Sequence, residues 1–467
     1  MLEPAYQADV VVVGAGIAGL AAAHRLTSAG VTTRVLEAAH GVGGRMATEK
    51  VDGFRLDRIG QLLSTAYPEP RRTPGLDGLA LLPFAPGVLL HSEGRQHRAG
   101  APAGARGARG ALHAVRALAR APRSVPAPRR PANAPRASGT AVSAPRTRVG
   151  APLGTAVDQA RLGAALTRLA GTPAERLLAR PELPAAQALA VRGLPARTID
   201  GFLRPLLAAL LCDPDLTTSS RCADLALRAF AGGRLALPEG GAEALPELLA
   251  RALPPGTVHT GVRVTSVATN AVATAEHGVI RCRAVLVATD ARAAAELLPG
   301  LRVPDFHPVT VVHHTTDEPP TTGASLLLDA DRGGPVAHTA VVSHVDPSRA
   351  PAGRALVSST VLGPPPSDVD TAVRMHLSRL YGTPTTRWET LAVHHTPEAV
   401  PAMRVPHDLH RPVRLLAGLY VCGDHRDTST VQGALHSGHR ASAAILTDLG
   451  AGRPMHTGDP LPTARAA

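Results

Sequence analysis

Four β-branched residues, Val10-Val11-Val12-Val13, run straight into Gly14-Ala15-Gly16-Ile17-Ala18-Gly19, and an acid, Glu37, follows eighteen residues after Gly19. The apolar run reads as a buried parallel strand that the glycines turn directly into a helix. Each glycine has its own mechanical task in such a unit. Gly14 permits the tight turn, Gly16 lets a pyrophosphate approach the backbone, and Gly19 lets the helix pack closely on the strand. The N–H groups that open the helix, at Ile17 and Ala18, then face the phosphates. Leu20, Ala21, Ala22 and Leu26 supply an apolar helix face, and a second strand over Thr33 to Leu36 leads to Glu37 and Ala38, where a carboxylate suits a ribose hydroxyl. Together these residues specify a dinucleotide-binding βαβ unit.

A chain of 467 residues can bury a large core in one to three domains. Its formal charge of +12 resembles a nucleic-acid signal until it is located. Twelve arginines and no acid lie between Arg95 and Arg148, and removing them leaves thirty-seven basic residues against thirty-seven acidic ones. Residues 95–150 are therefore read as a disordered Arg/Pro/Ala-rich insertion, with one short helical piece near Leu112 to Leu118. Without an aromatic platform for base stacking it reads as a solvated loop, so nucleic acid is not expected as a partner. Residues 451–467 read as a flexible tail. Cys212, Cys222, Cys282 and Cys422 form no paired framework, which suits a reducing cytoplasm. No leader precedes Val10 and no apolar run is long enough to span a bilayer, so the expected location is cytoplasmic, with peripheral membrane contact left open.

After Glu37 comes Gly41-Val42-Gly43-Gly44-Arg45. An arginine behind two glycines can reach a pyrophosphate from the side opposite the first helix. Simple NAD dehydrogenases lack this second motif, whereas a large class of flavoproteins carries it. The sequence resembles the FAD-dependent amine oxidase and phytoene desaturase superfamily, which also contains protoporphyrinogen oxidases. Phe202-Leu203-Arg204-Pro205, Ser219-Ser220-Arg221 and Gly240-Gly241 are similar to a bacterial and plant branch described as FAD/NAD(P)-binding oxidoreductases.

The resemblance implies an α/β fold: a Rossmann-like FAD-binding domain from residues 1–61, 235–300 and 403–450, and a discontinuous α+β substrate domain from 62–234 and 301–402. Asp52 to Gln61 resembles the family's approach to the isoalloxazine, with Gly60 as its close backbone neighbour beside Gln61. Val264 is expected to touch the adenine. Gly423-Asp424 is expected at the ribityl or pyrophosphate region, and a helix starting near Thr430, with Val431, Gln432 and Ala434 in its first turn, at the pyrimidine side. That helix end favours the negative charge a reduced flavin develops. His395 stands where the family's strand nears the ring and is a weak catalytic candidate.

Between these motifs, Leu76 to Phe84 has helical and then extended spacing, 158–190 reads as helices, and 202–212 reads as a core helix that could instead line a tunnel or dip into a bilayer. Cys422 reads as a buried strand residue rather than a flavin anchor. His436 and His439 lie on one helix with no carboxylate or cysteine placed to complete a metal site. His313-His314 and His394-His395 lie on strands, where neighbours point to opposite faces. No metal site is expected. No Gly-x-Ser-x-Gly elbow supports hydrolysis.

The implied activity is FAD-dependent oxidation or desaturation of a small molecule by hydride transfer to flavin N5, with O2 or another acceptor restoring the cofactor. The family's amine oxidases commonly hold a lysine and an aromatic cage at the ring. Here the only lysine is Lys50 and aromatics make up 2% of the chain, which favours an apolar substrate over an amine. A redox-neutral flavin isomerase and a non-catalytic flavin-fold binding protein are the other readings.

Overall fold

The computed structural model describes residues 7–100 and 153–450. Residues 101–150 of the expected insertion, with its helical piece near Leu112, and the tail 451–467 lie outside the described residues.

Val10–Val13 is buried on both faces, as an unbroken valine run requires. It lies inside a six-stranded sheet whose order is 258–260, 33–37, 10–13, 284–287, 419–421 and 414–416. The first five strands are parallel and the last is antiparallel. Val10 stands opposite both Thr33 and Ala284. Strands from near the start and from the middle of the chain thus flank Val10–Val13, and a crevice opens beyond its carboxyl end. Helices Ile17–Ser28 and Val431–Asp448 pack on the same face so closely that a Cβ on Gly438 would stand 2.3 Å from the Ala18 carbonyl oxygen.

A second, seven-stranded sheet runs in the order 389–401, 306–316, 355–362, 336–341, 327–329, 88–92 and 95–99. Alternation divides its side chains between two layers. Val312 and Val357 pack with Val373 and Leu377 of the helix Val369–Tyr381. Leu90, Leu328 and Ala340 face Phe202, Leu203 and Leu206 of the helical region. Residues 158–190 are helical as read, in Ala156–Gly171, Ala174–Leu178 and Ala185–Val191. Helix Arg204–Leu211 buries Leu206 and Leu207 completely and is a core helix. Among the described residues no helix is long and apolar enough to cross a membrane.

Two local expectations change. Arg95–Ala99 is a strand paired with Val88–Ser92, because Ala99 is buried opposite Val88 and Gln96 donates to the Leu380 carbonyl. Leu76 to Phe84 holds no helix: Pro74, Gly75 and Gly78 interrupt it, and only Leu81–Pro83 becomes regular, as a strand against Leu235–Pro238.

Candidate active site

The crevice is a cleft of about 640 Å³ lined by Gly14, Gly16, Ile17, Ala18, Glu37, Ala38, Gly44, Arg45, Gln61, Val264, Gly423, Asp424, Val431 and Ala434. That size is within the range of ligand pockets, roughly 300–1,000 Å³. Gly14 turns at φ +104°, where a Cβ would stand 3.0 Å from the Ala288 carbonyl oxygen, a conformation that only glycine enters cheaply. Gly16 caps the helix Ile17–Ser28 without a side chain, and nothing stands within 4 Å of where its Cβ would be. The first-turn N–H groups therefore have no side-chain cap at the cleft wall.

Glu37 is fixed by two backbone donors: Ala39 N–H bonds Oε1 and Ala15 N–H bonds Oε2, both at 2.8 Å. Each oxygen keeps a lone pair for a hydroxyl. On the opposite wall Arg45 donates from Nη2 to Asp424 Oδ1 at 2.6 Å and from Nη1 to the Ala399 carbonyl at 2.8 Å. Burial opposes its charge, but the carboxylates of Asp424 and Asp290 outweigh it and lift the guanidinium above its ordinary value. Helix Val431–Asp448 presents its N-terminus to the cleft, with Thr430 Oγ1 accepting from Gly433 N–H at 3.1 Å.

Four expected residues lie elsewhere. Gly19 is at the helix–strand contact, where a Cβ would come 2.2 Å from the Gly14 carbonyl. Gln432 turns away and accepts from Glu69 N–H at 2.9 Å. His395 is exposed and bonded to Thr310 Oγ1 across the sheet, whereas Ala399 and Val400, farther along the same strand, line the cleft. Gly60 faces a separate chamber, although its neighbours Ile59 and Gln61 face the cleft. Asp290, Ser429 and Thr430 also line the cleft and were missed. Their signal was Ser/Thr/Asp before an apolar helix, since Asp290 and Thr430 are both N-caps.

The chamber beyond Gly60 has a volume of about 40 Å³, room for a water or two. Leu62, Phe84, Leu237, Val311 and Leu326 line it with His313, His338, Arg349 and Asp57. Its one carboxylate is engaged: Arg349 bonds Asp57 Oδ2 at 2.5 Å, Asp346 at 3.0 Å and the Pro238 carbonyl at 2.8 Å. Burial pulls His313 and His338 down to about 4, so both are neutral near pH 7.

Cys422 is a fully buried strand-end residue whose thiol burial pushes up to about 12. Each of the two helix histidines has a carboxylate partner of its own. His436 Nδ1 lies 2.8 Å from Asp427, nine residues earlier, and His439 Nδ1 lies 2.6 Å from Glu69, brought there by packing from far along the chain, so the two make separate pairs.

The family model of flavin-containing amine oxidoreductases matches residues 17–446. The chain belongs to that family. Putrescine oxidase of Kocuria rosea is 55% identical over 62 residues, and the zeta-carotene-forming phytoene desaturase of Myxococcus xanthus is 40% identical over 92. The first alignment covers 13% of each chain and the second 18% of each, so the chain spans under a fifth of the curated relatives it matches. The crystal structure of an oxidoreductase from Methanosarcina mazei superposes with a TM-score of 0.66 at 16% identity, covering 93% of this chain and 99% of that one. The fold is thus the Rossmann-like fold of these oxidoreductases, and the family is one of flavin-containing proteins. The cleft fits FAD on its own evidence: an uncapped helix start behind open space at Gly16 for phosphate, a preset carboxylate for ribose, and a guanidinium on the opposite wall.

Proposed function

We propose that the protein oxidises or desaturates a neutral, hydrophobic small molecule. FAD, when bound, supplies the hydride acceptor, flavin N5, and O2 or another acceptor takes the electrons onward. Gly16, Ile17 and Ala18 hold the pyrophosphate by backbone N–H groups. Glu37 would receive the adenosine ribose hydroxyls, and Val264 would offer an apolar contact to the adenine. Arg45 and Asp424 set the charge at the middle of the cleft. The N-terminus of Val431–Asp448 offsets negative charge at the pyrimidine end. The loop Ile59-Gly60-Gln61 would stand between cofactor and substrate, with Gly60 offering backbone alone to the chamber.

The observation that carries the neutral substrate is the state of Asp57. It is already bonded to Arg349, to Thr48 Oγ1 at 2.8 Å and to Ala242 N–H at 2.8 Å. A substrate ammonium would find no unpaired carboxylate in the chamber, and burying it unpaired is costly. A hydrophobic molecule needs no such partner, though side chains must part to admit it. Lys50 supports the same choice, because its ammonium pairs with Glu243 at 3.1 Å and lines neither cavity. Similarity to putrescine oxidase favours amine oxidation as the second reading. Peripheral membrane contact, to collect an apolar substrate, belongs to the same proposal.

Anaerobic mixing of the FAD-loaded protein with a substrate panel tests this. Bleaching of the flavin by isoprenoid or long-chain neutral compounds, with none by mono- or diamines, is expected. Bleaching by amines alone would overturn the substrate, and a protein that gains no flavin absorbance on reconstitution would overturn the enzyme.

A further inference from the structure

On the seven-stranded sheet, far in sequence from every cleft motif, the strands Val88–Ser92 and Leu327–Asp329 run parallel with His91 directly opposite Asp329. His91 Nδ1 lies 4.0 Å from Asp329 Oδ1 and 4.0 Å from Asp331 Oδ2. His91 is 9% exposed, and among the described residues neither ring nitrogen has a hydrogen-bond partner. An orphaned buried imidazole calls for an explanation. Its two nearest carboxylates are each held in place by other donors. Asp329 accepts from Asp331 N–H at 3.1 Å and Gly333 N–H at 2.6 Å. Asp331 accepts from Ser92 Oγ at 2.8 Å and Glu93 N–H at 2.6 Å.

We propose that His91, Asp329 and Asp331 bind a divalent transition-metal ion, Zn2+ in particular, that ties these two strands together. One donor atom from each residue lies within 4.8 Å of the others, so an ion between them stands about 2.5 Å from each, roughly half an ångström beyond Zn–N and Zn–O bonds of ~2.0–2.2 Å. Small side-chain movements close that gap. The imidazole selects a transition metal over Ca2+ or Mg2+, which take oxygen ligands. Three protein ligands leave a fourth position to water, reached past Asp331, whose side chain is 37% exposed.

The surroundings resemble a ligand-orienting shell. His376 Nδ1 accepts from Val336 N–H at 3.1 Å, which leaves the proton on Nε2, 3.2 Å from Asp329 Oδ2. His376 thereby orients Asp329 as a positioning residue. Gly334 is needed for this approach, since a Cβ there would stand 2.5 Å from the His376 ring. The site is independent of the cofactor, as none of its residues lines the cleft.

Calorimetric titration of chelator-stripped, FAD-loaded protein with Zn2+, Mn2+ and Ca2+, with metal analysis after dialysis, tests the site. One Zn2+ per chain is expected, bound at micromolar Kd or tighter and ahead of Ca2+, with a rise in Tm. Asp331→Asn, on the exposed side, and His91→Gln should each weaken Zn2+ at least tenfold and abolish the Tm rise while keeping their flavin. Should His91→Gln fail to fold, Asp331→Asn decides alone. No Zn2+ binding below 1 mM, preference for Ca2+, or unchanged affinity in Asp331→Asn would overturn the proposal.

Discussion

Arg45 and Asp424, brought together from opposite ends of the chain, form a 2.6 Å ion pair across the wall of the cofactor cleft. Asp290 lines the same cleft, so one guanidinium balances two carboxylates where the pyrophosphate is to lie. Arg45→Gln leaves those carboxylates facing an anionic ligand. Since the Arg45 side chain is 35% exposed, solvent screens part of the effect, and a loss of about 2 kcal/mol, some thirtyfold in FAD affinity, is expected. Arg45→Lys should recover only part, because an ammonium cannot span Asp424 and the Ala399 carbonyl as a fork does. The double variant Arg45→Gln/Asp424→Asn should bind FAD better than Arg45→Gln alone. Equal flavin retention in the single and double variants would show that the pair does not set the charge of the cleft.

Glu37 makes a simpler case. Its carboxylate is preset by Ala15 and Ala39 whether or not a ribose is present. Glu37→Ala removes an acceptor worth about 1.5–3 kcal/mol to hydroxyls, so FAD affinity should fall ten- to a hundredfold. Equilibrium dialysis of FAD against the variant measures it, and undiminished affinity refutes the role.

Gly16 and Gly19 separate binding from folding. A methyl on Gly16 meets no protein atom within 4 Å and points into ligand space, at φ −72°, which alanine accepts. Gly16→Ala should therefore keep its Tm without FAD and lose most FAD binding. Gly19→Ala drives its methyl to 2.2 Å from the Gly14 carbonyl and should lower the Tm of the FAD-free protein itself, by the ~1–3 kcal/mol typical of overpacking. Thermal melts with and without FAD distinguish the two, and identical behaviour would contradict the division of labour.

That division was readable in the sequence because the glycine loop is local: a strand, a turn and a helix start contributed by one short stretch. Arg45 and Asp424 were readable as motifs, although not as partners. The rest depends on which strands neighbour one another. Nothing in the order of residues announces that Asp57 meets Arg349, or that His91 stands opposite Asp329. His395 was misplaced for the same reason, since strand register puts it opposite Thr310 and leaves Ala399 and Val400 to line the cleft. Gly60 was read from its motif as a neighbour of the flavin, and the loop has it line the small chamber while Ile59 and Gln61 line the cleft.

Lys50 tests the substrate class from the other direction. It sits on the strand Thr48–Val51 with its ammonium on Glu243 and its side chain 62% exposed. Lys50→Met should leave FAD affinity and anaerobic flavin reduction by the preferred substrate unchanged within twofold. A large drop in the reduction rate would assign the lysine a part in the chemistry and restore the amine-oxidase reading.

Acid should unfold this protein through its buried histidines. Burial pulls His313, His338 and His425 each down to about 4. In the unfolded chain such residues take up protons near 6.5, whereas in the folded state they stay neutral until about 4. Their contribution is therefore fully present above pH 6.5 and is lost as pH falls toward 4, by up to ~1.4 kcal/mol per pH unit for each histidine. His436 acts in the opposite sense, since its bond to Asp427 raises it, so its contribution is present below 6.5 and lost as pH rises through its folded value. It is partly exposed and one against three, so the net slope should favour unfolding in acid. Urea unfolding at pH 7.5, 6.0 and 5.0 should give a steadily falling midpoint. His338→Leu, which removes one titrating group, should flatten the fall by about one proton's worth; a midpoint independent of pH over this range would contradict the neutral, buried state of the chamber.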